Sequence, residues 1–453
     1  MEKRRTLFEK VWDAHLVREL PGRNGLVFID RAVLYELLGP PAIDAIERDF
    51  EGALYDADRV IAVNDHVAPA KDTSTAELAL QLRRWAKKRS VRLYDVGNNG
   101  ICHVLVPERG HVMPGSTLVC SDSHTCTIGA FASFAFGVGS TALAGALLCS
   151  AVVVARPKVM RITVRGRLQK DATAKDLALA VVAQLGFKGG TGYVLEYAGD
   201  GIAALSMDER MTLCNMSIEA GATTGMCPVD ETTIAYLRGR EFSPKADEFE
   251  RAAAHWRKLV ADPDATYDAE LAIDASALVP TVTWGTNPGE SAPLSGSVPL
   301  DADSAALEYM GLQAGVRLRE IELDQAFIGS CTNARIGDLR AAAAVLSGRK
   351  VRIPTIVTPG SQLVKRQAEA EGLHDIFQDA GALWTHSSCG ACPGLSTGVL
   401  APQMRCISSS NRNFPGRMGM GGRVHLASPV VVAASAVLGR IASPDELESA
   451  VPA

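Results

Sequence analysis

Apolar and polar positions along this chain switch repeatedly between helical spacing and strand alternation. Residues 6–16 gather their apolar side chains on one helical face. Residues 25–30 and 59–64 read as short strands ending in polar residues, 76–90 as a helix and 90–94 as the next strand. Residues 158–166 alternate one by one, the mark of a strand, and 173–186 follow as a helix with a threonine cap. Another helix is predicted over 248–259. Residues 324–328 form a strand running into Gly329-Ser330-Cys331, followed by a helix over 338–347, a strand over 351–357 and a helix over 361–371. This alternation predicts an α/β fold with helices on the sheet faces. Residues 287–303, rich in Pro, Gly, Ser and Asp, are the best linker candidate. Three α/β units are expected, at 1–155, 156–300 and 301–453, the last carrying the cysteines discussed below.

Composition narrows the picture. The 453 residues allow several domains with a large core, and a net charge of −5 without a long basic run argues against nucleic acid or an anionic membrane as main partner. The N-terminus is charged but lacks an apolar stretch behind it, so no signal peptide is expected. Residues 130–155 are long and apolar, yet Ser133, Ser140, Thr141 and interior glycines favour a buried helix over a membrane span. Without an export signal, the ten cysteines are expected as free thiols or metal ligands.

Four groups of residues can carry chemistry. Cys331 lies in Ile-Gly-Ser-Cys-Thr-Asn, and Cys389 and Cys392 lie in Ser-Ser-Cys-Gly-Ala-Cys-Pro-Gly. Three thiolates can hold a metal centre and leave one position open for substrate. Spacing alone leaves alternatives: His386 would complete a closed zinc site with three cysteines, and Cys389 with Cys392 would serve as a redox pair. Second, His66 beside Asp65, His103 after a Gly/Asn turn, and His124 beside Asp122 and Ser123 follow predicted strands or turns, where open α/β sheets place ligands. Third, Asn411, Arg412, Asn413 and Arg417 in a Gly/Pro turn offer a fork-like grip for carboxylates. Fourth, Asn215 and Glu219, four apart in an apolar segment, are expected to face inward.

These motifs, together with Arg210-Met211-Thr212-Leu213-Cys214-Asn215-Met216 and Thr283-Trp284-Gly285-Thr286-Asn287-Pro288-Gly289, resemble the aconitase superfamily over nearly the whole chain. The pattern is most similar to large subunits of 3-isopropylmalate dehydratases and homoaconitase-type relatives. The resemblance implies a three-domain α/β/α body around a 4Fe-4S cluster held by Cys331, Cys389 and Cys392. It implies a hydro-lyase that removes and re-adds water on a malate-type acid, in leucine biosynthesis and in the cytoplasm. Asp65, His66, His103, Asp122, His124 and Glu219 would be catalytic, one histidine protonating the departing hydroxyl. Ser123, Asn215, Asn411, Arg412 and Arg417 would bind substrate.

The chain ends soon after Ile441, where single-chain aconitases continue into a swivelling fourth domain with a base serine and further arginines. A separate small subunit is therefore the expected partner. Residues 65–72 look like the archaeal and homoaconitase-type branch, which leaves 2-isopropylmalate, homocitrate and dimethylmalate as candidate substrate classes. A zinc-bound or cluster-free scaffold is the reading from a different class.

Overall fold

The computed structural model describes residues 4–449, and two five-stranded parallel sheets set its frame. In the first, Arg31–Tyr35 is central. Val60–Val63 and then Arg92–Tyr94 lie on one side of it, and Thr117–Cys120 and then Phe134–Gly137 on the other. Val60–Val63 and Thr117–Cys120 are buried along their whole length, as expected of parallel strands covered on both faces. A four-stranded parallel sheet follows, ordered Thr224–Met226, Tyr193–Ala198, Lys158–Arg165, Ala269–Asp274. The last sheet is ordered Leu383–Trp384, Thr355–Val357, Gln325–Ile328, Arg405–Ser408, Arg423–Leu426.

Local chemistry starts the helices. Thr6, Thr173 and Ser206 each form a capping box with an acid three residues on, and Ser361 caps Gln362–Ala370. The strand and helix positions read from the sequence agree within a few residues, with four differences. The central strand Arg31–Tyr35 escapes pattern reading because it continues the apolar run of Asn24–Phe28. Asp30 separates them: its N–H donates to Thr117 Oγ1 at 2.9 Å and its carboxylate accepts from Thr117 N–H at 2.9 Å.

The stretch expected as one buried helix over 130–155 is four elements. It comprises the end of a 3-10 turn (Ser123–Phe131), the strand Phe134–Gly137, the helix Ser140–Cys149 and the strand Ala151–Ala155. Ala132 and Ser150 adopt left-handed backbone at two of the breaks (φ 57° and 46°). No helix among the described residues is long and apolar enough to cross a membrane. The stretch 287–303 is packed rather than a free linker. Ser291–Pro293 pairs with Thr281–Thr283, and Leu294 and Val298 are buried in the core of the last sheet. The strand expected over 351–357 is only Thr355–Val357; Pro354, without an N–H, precedes it.

Both five-stranded sheets reverse their direction of growth beside the central strand. In the first, the chain runs outward from Arg31–Tyr35 on one side and then returns to lay Thr117–Cys120 on the other. In the last, Gln325–Ile328 and Arg405–Ser408 meet in the same way. The crevice beyond the C-terminal ends of such strands is the preferred ligand position of open α/β sheets. The two sheets touch at these ends: Gly100 bridges Ser361, and Cys389 N–H donates to Asp65 O at 3.1 Å.

Candidate functional site

The segments leaving these strand ends bring the predicted residues together. After Thr117–Cys120 comes Asp122, which approaches three histidines. Its carboxylate lies 3.4 Å from His66 Nε2, 3.3 Å from His103 Nε2 and 3.3 Å from His124 Nδ1. The sequence pairs Asp122 with His124 alone; only the fold reveals it as the shared anion. Burial disfavours the Asp122 carboxylate, but hydrogen bonds and charge from His103, His124 and His66 outweigh it and hold its pKa well below the usual carboxylate range.

Asp65 and His66 follow Val60–Val63. Asp65 Oδ1 lies 2.6 Å from His66 Nδ1, and its other oxygen accepts from Cys102 N–H at 2.9 Å. The His66 ring stacks on Tyr35 with centroids 4.4 Å apart. Burial works against the imidazolium, yet Cys389, Asp65 and Asp122 together raise the His66 pKa well above its ordinary value. Glu36, which the sequence reading missed with its strand, is fully buried behind this pair. Its oxygens accept from Asp65 N–H at 2.9 Å and Val67 N–H at 2.6 Å, so it fixes the backbone that carries Asp65 and His66.

Glu219 enters from the middle sheet, in the 3-10 turn Met216–Ala220 that continues the helix Met207–Asn215. Its Oε1 lies 2.9 Å from His124 Nε2 and accepts from Arg412 Nε at 2.7 Å. Asn215 also faces inward: its amide donates to Thr127 Oγ1 at 2.8 Å and to Cys331 Sγ at 3.2 Å.

The last sheet supplies the thiols. Cys331 follows Gln325–Ile328 through Ser330, a non-glycine residue at φ 79°. Its sulfur also accepts from Asn411 Nδ2 at 3.3 Å, while Arg335 clasps the carbonyls of Cys331 and Thr332 at 2.8 and 2.9 Å. Arg417 Nη2 donates to Cys392 Sγ at 3.4 Å. Gly390, between the two other cysteines, has φ 57°, and a Cβ there would meet Thr358 Oγ1 at 2.8 Å. All ten cysteines are free, and Cys331, Cys389 and Cys392 are each less than a tenth exposed. Burial pushes the Cys331 thiol up to about 11 and raises Cys389 as well.

The donor set bears on the two metal readings. A tetrahedral zinc with sulfurs at ~2.3 Å draws its thiolates to within ~4 Å of one another. Among the described residues, Glu36, Asp65 and His66 are the group of three donors whose ligand atoms all lie within 4.8 Å; the three cysteines do not converge that closely. His386, the expected fourth zinc ligand, is exposed. Thiols that stand apart, with amide donors on Cys331 and a guanidinium on Cys392, suit a cluster with one cysteine per iron and hydrogen bonds to its sulfurs.

Two members of the predicted set fall outside these contacts. Ser123 is half-buried next to Asp122, and its side chain makes no hydrogen bond among the described residues. Asn413 turns away, its amide donating to Thr283 Oγ1 at 3.2 Å and Gly285 O at 2.7 Å, so it anchors the loop instead of lining the site. Arg412 uses Nε on Glu219 and leaves both Nη groups without a hydrogen-bond partner among the described residues. Lys175, also missed from sequence, is fully buried and donates to the carbonyls of Ser409 and Ser410. A lysine second in a helix reads as a solvated charge, so nothing local marks it.

A family model described as the Aconitase family (aconitate hydratase) matches residues 9–439. Among solved structures, the crystal structure of the holo-form of Thermococcus kodakaraensis aconitase X is similar to this chain at 13% sequence identity, with a TM-score of 0.48. The similarity spans 90% of this chain and 89% of that one.

Proposed function

The chain belongs to the aconitase family, and from that premise we propose that it is the cluster-bearing part of a hydro-lyase acting reversibly on a malate-type acid, 2-isopropylmalate being the first substrate to test. The observation that carries this reading is the meeting of three histidines on Asp122 with three separated thiols and two guanidinium groups between the strand ends of two parallel sheets. Cys331, Cys389 and Cys392 would hold a 4Fe-4S cluster. When bound, such a cluster supplies a Lewis-acidic iron that polarises a hydroxyl and a carboxylate.

The remaining chemistry belongs to the chain's own side chains. His103 and His124 each place one ring nitrogen on Asp122, and His66 is bracketed by Asp65 and Asp122. A neighbouring carboxylate fixes the orientation of an imidazole, and at His66, against the cost of burial, Cys389, Asp65 and Asp122 favour the protonated ring. One of the three gives a proton to the departing hydroxyl and takes it back on hydration. Glu219 holds His124 and Arg412 together, which leaves the Arg412 Nη groups free to grip a substrate carboxylate. Arg417 approaches from the Cys392 side as a second cation. The burial of the histidines and thiols excludes bulk water and strengthens each of these interactions.

The base that removes the carbon-bound proton, and further arginines, would come from a small-subunit partner. The test is anaerobic reconstitution of the purified chain with iron and sulfide, followed by a screen of 2- and 3-substituted malates with and without the cognate small subunit. The reading requires broad iron–sulfur absorption and water loss from a malate only when the partner is present. A colourless zinc protein would defeat the cluster assignment, and turnover by this chain alone would defeat the partner assignment. Preference for homocitrate or dimethylmalate would move the chain to another branch of the same family.

A further inference from the structure

Lys175 breaks two rules of where a lysine belongs. Its side chain has no exposed surface, although lysine is among the residues least often fully buried. It also sits in the first turn of the helix Ala174–Leu185, where the helix dipole already presents positive charge and disfavours a cation. Among the described residues its ammonium makes no ion pair; the hydrogen bonds it does make run to the main-chain carbonyls of Ser409, at 3.0 Å, and Ser410. Burial lowers its pKa to about 8, opposed by Cys392, Asp338, Asp176 and Cys331. A neutral side chain of that length would pack in the same space without these penalties.

What the ammonium touches gives the placement its meaning. Ser409 and Ser410 end the strand Arg405–Ser408 and lead directly into Asn411 and Arg412. Ser409 Oγ accepts from Gly329 N–H at 3.0 Å and so ties this turn to the backbone before Cys331. Two residues on, Asn411 donates to Cys331 Sγ and Arg412 to Glu219. The Lys175 helix belongs to the middle sheet's segment, and its cap partner Asp176 accepts from Thr281 N–H at 2.7 Å on the way to the Thr283–Gly285 anchor of Asn413. The loop is thus held from one side at Asn413 and from beneath by Lys175.

We propose that Lys175 is a positioning residue: its ammonium fixes the Ser409–Ser410 carbonyls and thereby aims Asn411 and Arg412 at the thiols and at Glu219. The proposal rests on the hydro-lyase reading only in treating Arg412 as a substrate grip. The first readout is hydrogen exchange in the metal-free full-length chain, which needs neither metal nor substrate. Lys175→Met keeps the length and removes both donors; Lys175→Gln keeps an amide able to reach one carbonyl.

In the methionine variant, peptides covering 409–413 should exchange at least tenfold faster, while peptides from Arg31–Tyr35 and Lys158–Arg165 keep their wild-type rates; the glutamine variant should fall between. In the reconstituted enzyme with its partner, KM for the malate should rise at least tenfold with kcat changed less than threefold. Unchanged exchange over 409–413 would overturn the proposal. So would faster exchange spread evenly along the chain, or failure of both variants to fold, since either shows a general structural role. If the exchange result holds and no malate is turned over by wild type, the functional reading fails and the positioning role stands.

Discussion

Glu219 is the point at which the histidine cluster and the arginine loop depend on one atom, so replacing it tests both. The carboxylate is 3% exposed, and its Oε1 takes hydrogen bonds from Arg412 Nε at 2.7 Å and His124 Nε2 at 2.9 Å. Hydrogen bonds to a charged group contribute about 1.5–3 kcal/mol each. Glu219→Gln keeps the volume and an acceptor oxygen but not the charge, and should cost about 2 kcal/mol. Glu219→Ala leaves the Arg412 guanidinium, whose side chain is 23% exposed, without its counter-ion. Removing one partner of a buried pair costs about 3–5 kcal/mol, and the partial exposure of Arg412 puts this case at the lower end. Urea unfolding of the metal-free chain would read both values.

Activity should fall further than stability, because a misplaced His124 and Arg412 disturb proton delivery and carboxylate grip together. A loss of about 10²–10⁴ in kcat/KM is expected for Glu219→Ala at temperatures where the variant is folded. The double variant Glu219→Ala/Arg412→Ala isolates the cause. It removes the orphaned cation and should unfold at higher urea than Glu219→Ala alone, a coupling of about 1–3 kcal/mol. If the double variant is less stable than wild type by the sum of the two single-variant losses, Glu219 and Arg412 are uncoupled and Glu219 is not the clamp.

Other outcomes follow from burial and charge. Cys149 is the exposed member of the ten free cysteines, and burial raises the thiols of Cys331 and Cys389; iodoacetamide at pH 7.5 should therefore label Cys149 first in the folded metal-free chain. Mass spectrometry showing fast labelling of Cys331 or Cys389 in that state would contradict the burial argument. Glu108 lies under Ser361, and burial raises its pKa from 4.5 to about 7. A folded pKa above the unfolded one gives stability that is complete below about pH 4.5 and is lost as pH rises through 7; the shift corresponds to about 3 kcal/mol. The stability of wild type minus that of Glu108→Gln should fall by that order between pH 4.5 and 8 in urea titrations, and a flat difference would refute it. Asp122→Asn withdraws the anion shared by His66, His103 and His124, and should lower kcat by at least 10²-fold while the iron–sulfur absorption persists; loss of the absorption instead would make Asp122 part of the metal site.

The sequence made the strand-helix alternation and the chemistry legible for different reasons. Val60–Val63, Lys158–Arg165 and Ala174–Leu185 announce themselves through local period and caps, and so could be read in isolation. Arg31–Tyr35 could not, because its limit is a tertiary contact between Asp30 and Thr117 across 87 positions. The same divide runs through the site. Asp65 with His66, Cys389 with Cys392, and Asn411 with Arg412 are neighbours whose pairing shows in a short motif. Glu36, Lys175 and the sharing of Asp122 by three histidines depend on which strand ends face each other, and no local signal carries that. Asn413 shows the converse: its motif suggests a ligand contact, yet Thr283 and Gly285 satisfy its amide first.

The weighing of zinc against a cluster shows what the spacing of ligands leaves out when orientation is missing. Along the chain, His386 and Cys389 stand three apart, a separation that fits a closed site of three cysteines and one histidine. The fold separates them by function: His386 faces solvent, whereas Cys389 is held inward by its N–H on Asp65 O. Asn215 and Asn411 direct amide donors at Cys331, and Arg417 directs a guanidinium at Cys392. Neutral thiols gain little from three such donors, while thiolates and cluster sulfurs carry the negative charge that makes charge-assisted hydrogen bonds strong. A raised thiol pKa in the metal-free chain then means that metal entry must expel protons, so assembly should release protons at neutral pH and quicken as pH rises towards 9. Asn215 and the loop carrying Asn411 and Arg417 thus aim donors at two of the three cysteines from two separate segments, an arrangement suited to sulfurs that carry negative charge and in keeping with the proposed cluster.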